Sequence, residues 1–103
     1  RIFLTLLEDK VKLWDVQTRS LLHTFHGHSK KFYSATFSSD GTKLLTASSD
    51  KTAKVWSVET KTLLYNLAGH SKAVLSAVFS TDGTKVVTTS SDNTAKIWFL
   101  LED

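Results

Sequence analysis

At 103 residues the chain has the size of one ordinary domain, with no cysteine, no proline, no methionine and a formal net charge of +3. The missing cysteines exclude a disulfide framework, a thiolate metal site and a cysteine nucleophile, and mildly favour residence inside the cell, cytoplasmic or nuclear. The 13 Lys and Arg residues are spread along the chain and form no single run, a weak signal for nucleic acid, and no stretch approaches the roughly 18 to 20 apolar residues of a membrane helix.

In chain order, the residues read as short strands. Arg1 to Leu6, Val11 to Val16 and Leu21 to Phe25 are rich in β-branched and large apolar residues. Residues 32 to 38 and 43 to 48 are expected to pair through Asp40-Gly41, and 74 to 80 and 85 to 90 through Asp82-Gly83. In such turns glycine supplies the positive φ at no steric cost. Thr52 to Trp56 and Thr94 to Trp98 follow as third strands, entered through tight turns at Asp50-Lys51 and Asp92-Asn93, and Leu63 to Leu67 forms a fourth. Consecutive apolar or small residues, as in Leu44-Leu45, Val86-Val87 and Ala77-Val78-Phe79, suit sheets covered on both faces.

A 42-residue step organises these strands. It carries Trp14 onto Trp56 and Trp98, Gly27-His28 onto Gly69-His70, Asp40-Gly41 onto Asp82-Gly83, and Asp50 onto Asp92. Residues 27 to 58 laid on 69 to 100 give 20 identities in 32 positions, too many for coincidence of composition. A repeat of about 40 to 45 residues with an early Gly-His and a late Trp marks a four-stranded propeller blade. The strands then read b-c-d, a-b-c-d and a-b-c. The expected units are residues 1–26 as a partial blade, 27–68 as a complete one and 69–103 as a second partial one. Closed propellers use about four to eight blades. A chain that starts at Arg1 without a methionine is therefore expected to be a segment of a longer protein, and its targeting is not readable.

Gly27-His28, Asp40-Gly41, Ser48, Asp50 and Trp56, repeated as Gly69-His70, Asp82-Gly83, Ser90, Asp92 and Trp98, resemble the WD40 repeat family over nearly the whole chain. The Trp-Asp dipeptide itself survives only as Trp14-Asp15, and the first copy has Leu6 and Glu8 where Ser and Asp belong, which puts that blade's internal hydrogen bonds in question. The resemblance implies an all-β, incomplete propeller of four-stranded antiparallel blades. It also implies a buried structural network in which His28, Ser48, Asp50 and Trp56, and again His70, Ser90, Asp92 and Trp98, satisfy one another's polar groups.

Ser48, His28 and Asp50 also have the residue types of a hydrolase triad. A catalytic set would not be expected twice in adjacent repeats, and no nucleophile elbow or oxyanion donor accompanies it, so a structural role is the better reading. His23, His26 and His28 are close enough in sequence to suggest metal ligands. His28 is already claimed by the repeat, however, and Tyr65 and Ala68 replace the other two in the next copy, so no metal or other cofactor is expected.

In similar proteins, partners meet the face made by the d-to-a and b-to-c loops. Transferred by position, this implies Lys31, Tyr33, Ser49, Ala73, Leu75 and Ser91 as partner-binding residues, with Tyr33 and Leu75 as the anchors. Lys30, Lys31, Lys51 and Lys72 should give the same face a positive rim that suits an acidic or phosphorylated peptide segment. The expected function is a non-enzymatic scaffold for protein–protein contacts in a larger assembly. A nucleic-acid or ribonucleoprotein component is one alternative, and a fragment that assembles with further copies of itself, or with the rest of a parent propeller, is another.

Overall fold

The computed structural model describes residues 2–7, 10–26 and 30–100. Among these, ten strands run β1 (Ile2–Leu7), β2 (Lys10–Asp15), β3 (Leu21–Phe25), β4 (Phe32–Phe37), β5 (Lys43–Ser48), β6 (Thr52–Ser57), β7 (Leu63–Ala68), β8 (Val74–Phe79), β9 (Lys85–Ser90) and β10 (Ala95–Phe99). They form three antiparallel meanders, β1-β2-β3, β4-β5-β6-β7 and β8-β9-β10, so the all-β reading holds; in the repeat's lettering we refer to their strands as b-c-d, a-b-c-d and a-b-c. We call the three sheets the first, middle and last.

Sequence chemistry sets the turns. Gly41 N–H donates to Ser38 O (3.0 Å), closing a turn after which Gly41 takes φ +75°, and Gly83 repeats this with Ser80 at φ +74°. Asp40 Oδ1 accepts the Ser38 hydroxyl (2.7 Å), the Thr42 N–H (3.0 Å) and the Thr42 hydroxyl (2.8 Å). Asp82 does the same for Ser80 and Thr84. Ser38 and Ser80 thus belong to the turns, and β4 and β8 end one residue short of the expected 38 and 80.

The first sheet departs from the 42-residue step. Thr5 pairs with Lys12, as Thr46 pairs with Lys54 and Thr88 with Lys96. Thr5 and Thr46 are 41 residues apart, whereas Trp14 and Trp56 are 42 apart, so the first b-to-c turn is one residue shorter. The first strand accordingly runs on to Leu7, one residue past the expected Leu6, and Arg1 lies outside the described residues. The second starts and ends one residue earlier than Val11 to Val16, because Asp15 Oδ1 already accepts Gln17 N–H (2.9 Å) in the next turn.

The sheets stack face to face, and two clusters fill the junctions. Val11, Leu13 and Phe25 of the first sheet meet Phe32, Leu44 and Trp56 of the middle sheet, with the Phe25 and Trp56 ring centroids 5.3 Å apart. On the other side, Leu45, Ala47, Ala53, Val55 and Leu67 of the middle sheet meet Val74, Ala77, Val86 and Leu100. Leu44 and Leu45 are both at 0% exposure because successive side chains point to opposite faces and both faces are covered. The outer sheets each keep one face bare.

Candidate functional site

In the middle and last sheets the polar residues of the repeat assemble at the end where strand a begins and strand b ends. In the last sheet four side chains form one line. Trp98 Nε1–H donates to Thr88 Oγ1 (2.9 Å), Thr88 Oγ1 lies 2.7 Å from His70 Nε2, and His70 Nδ1 lies 3.0 Å from Asp92 Oδ2. A carboxylate can only accept, so the imidazole carries a proton on Nδ1, and in the neutral ring the Thr88 hydroxyl donates to Nε2. Asp92 Oδ2 also accepts Ser71 N–H (3.0 Å), and Oδ1 accepts the N–H and hydroxyl of Thr94. The Thr94 hydroxyl, assisted by His70 and the two N–H donors, holds the Asp92 carboxyl far below its ordinary pKa against the opposing effect of burial.

The hydroxyl between ring and indole is therefore Thr88, two residues before the expected Ser90. Strand alternation would also allow Ser90 to share Thr88's face, but Ser90 sits at the strand end and bonds the backbone. Its Oγ donates to Ala73 O (2.7 Å) and lies 3.2 Å from Lys72 O, while accepting Asp92 N–H (3.1 Å). Ser48 does likewise with Lys31 O (2.9 Å) and Asp50 N–H (3.1 Å). Both serines tie the segment before strand a to the b-to-c turn. In the middle sheet Trp56 Nε1–H donates to Thr46 Oγ1 (3.1 Å), and Asp50 Oδ1 accepts the N–H and hydroxyl of Thr52. His28 lies outside the described residues. In the first sheet Trp14 Nε1–H donates to Thr5 Oγ1 (2.9 Å), so the indole–threonine bond occurs in all three sheets despite Leu6 and Glu8.

Thr46 and Thr88 recur at the repeat step, but so do Ser48 and Ser90. Each threonine stands ten residues before its Trp. The glycine of Gly-His also acquires a reason, since a Cβ on Gly69 would lie 3.1 Å from Trp98 Cη2. The order hydroxyl, imidazole, carboxylate is that of a hydrolase relay, yet Thr88 is at 0% exposure and its oxygen already faces both indole and imidazole. His23 packs edge-on against Phe25 (4.6 Å), and burial first, then Lys61 and His26, lower its pKa.

Of the expected partner residues, Lys31, Tyr33, Leu75 and Ser91 are exposed, and Ser49 and Ala73 are partly covered. Ser49 N–H donates to Lys31 O (3.0 Å) and Ser91 N–H to Ala73 O (3.1 Å), so each group of three is held together by backbone. Tyr33 and Leu75 fall where the register slips, between Phe32 and Ser34 and between Val74 and Ser76. Each is the extra residue of a β-bulge, a device that redirects a side chain, and they are 40% and 46% exposed. Lys31 Nζ sits 5.2 Å from the Tyr33 ring centroid, within range of a cation–π contact. The bulges had no signal in the strand patterning. Lys30, Lys51 and Lys72 are also exposed in loops at this end.

Stacked antiparallel meanders joined at a 42-residue step, each with a Trp bonded to a strand-b threonine, define the chain as a β-propeller repeat protein. The family described as WD domain, G-beta repeat matches residues 19–57 and 61–98. The chain belongs to the WD40 repeat family. Members of this family generally act as scaffolds for protein–protein contacts and are typically non-enzymatic.

Proposed function

We propose that this chain is a non-enzymatic platform that holds an acidic or phosphorylated segment of another protein at the end bearing Lys31, Tyr33, Ser49, Ala73, Leu75 and Ser91. The observation that carries this reading is the pair of bulged anchors, Tyr33 and Leu75, at the same position of successive sheets, with Lys31 against the Tyr33 ring. Large side chains in such places supply most of an interface's energy. Four lysines nearby would steer an anionic partner. The backbone bonds from Ser49 and Ser91, together with the Ser48 and Ser90 hydroxyls, fix the loops in advance, so little ordering entropy remains to be lost on binding.

The test uses a short fluorescent peptide of alternating Glu and Leu, with a Lys/Leu peptide as control. The acidic peptide should bind and weaken as salt rises, and Lys31→Glu with Lys72→Glu should reduce its affinity at least about tenfold, the effect of roughly 1.4 kcal/mol. Unchanged affinity and salt dependence in that double variant would sink the reading. Tighter binding of single-stranded RNA with a steeper salt slope would favour the nucleic-acid alternative.

A further inference from the structure

The two junctions inside the molecule define a mating pair of surfaces. One surface faces forward along the stack and carries Leu45 and Val55 in the middle sheet; the other faces back and carries Leu44 and Trp56 there, or Val86 and Trp98 in the last sheet. The bare face of the last sheet is of the forward kind. Val78, Val87 and Ile97 lie in one cross-strand row, and Ile97 occupies the repeat position of Val55. Val55 is at 0% exposure and Ile97 at 61%, with Val78 at 53% and Phe99 at 69% beside it.

The bare face of the first sheet is of the backward kind. Phe3 pairs with Trp14 in register as Leu44 pairs with Trp56, and their rings stack at 6.2 Å. Leu44 is at 0% exposure, whereas Phe3 is at 41% and Val16 at 44%. The chain thus displays both halves of an interface that it already makes twice within itself.

We infer that the forward face of the last sheet receives the backward face of the first sheet from a second copy of the chain, and that two copies close head to tail into a ring. Such a contact joins unlike surfaces, so it either closes or runs on as a filament. Each copy of the 103-residue chain adds three sheets. Three sheets fall below the roughly four to eight of closed propellers and nine exceed them, whereas six from two copies lie within the range. The inference goes beyond the platform reading and does not rest on it, because Lys31 and Tyr33 lie at the strand ends and not on the bare faces.

Light scattering with circular dichroism on the 103-residue chain tests it. A β-rich species of twice the 11.5 kDa chain mass is expected. Ile97→Glu spoils the forward face alone, and Phe3→Lys or Val16→Lys the backward face alone; all three residues are exposed in the single chain, so its own junctions are left intact. Each variant by itself should be a folded monomer. An equimolar mixture of Ile97→Glu with Phe3→Lys should recover a dimer, since one intact face of each kind remains. A folded wild-type monomer, a filament, an unfolded chain, or a Phe3→Lys variant that still dimerises alone would each overturn the proposal.

Discussion

Thr88, outside the recognised signature, joins two residues that belong to it. It gives Trp98 an acceptor and His70 a donor from a position without solvent. A Thr88→Val substitution keeps the shape but leaves both nitrogens unpaired, and an unpaired buried polar group costs about 1 to 3 kcal/mol. The expected loss is about 2 to 4 kcal/mol in chemical denaturation, with Thr88→Ser recovering most of it. Equal stabilities of the Val and Ser variants would show that the hydroxyl does not hold the line. Repetition made His70, Asp92 and Trp98 legible as a set, because identical residues recurred at one step. Which hydroxyl joined them was hidden, since Thr88 and Ser90 both lie in a run of small polar residues and both recur 42 residues from Thr46 and Ser48. Only the strand register separates the one that meets the ring from the one that bonds the backbone.

At the scale of the element, the a-to-b hairpins are organised by Asp40 and Asp82. Hydrogen bonds from Thr42 and Ser38 lower the Asp40 pKa to about 2, and the corresponding donors lower Asp82 further. A carboxyl whose pKa is lower folded than unfolded contributes stability above the unfolded value and loses it as pH falls through the folded value. With unfolded aspartate near about 3.9, the contribution is present at neutral pH and fades from about pH 4 toward 2. Asp40→Asn should therefore be less stable than wild type at pH 7, and the gap should narrow over that window. A gap that stays constant between pH 7 and 2 would contradict the assignment. Asp-Gly was a readable hairpin signal because the chain needs a left-handed residue there. The bulges at Tyr33 and Leu75 were not readable, since an extra residue in a strand leaves no mark when both neighbours are apolar or small.

Across the whole molecule, stability resides at the junctions between sheets. Leu45 fills the second junction, and Leu45→Ala should cost about 2 to 5 kcal/mol from lost transfer and the cavity left behind. Val87, at the same repeat position but on the bare face, should cost less than half as much on change to Ala when measured at concentrations where chains are single. Equal losses would mean that the sheets do not derive their stability from stacking. The consecutive apolar pairs foretold this two-sided burial in the middle sheet. The one-residue offset of the first sheet was not legible, because Trp14 keeps the 42-residue step and conceals the shorter span before it.

That shorter turn has a consequence for how such chains can diverge. Thr5 still meets Trp14, so a residue can be gained or lost between strands b and c without breaking the bond that follows. Length change there is absorbed by a loop, while the phase of the strands on either side is preserved. The same loop, in the middle and last sheets, sits beside Ser49 and Ser91 at the proposed contact end. A chain built this way can alter what it touches by insertion or deletion while its interior stays the same, which separates the evolution of recognition from the maintenance of the fold.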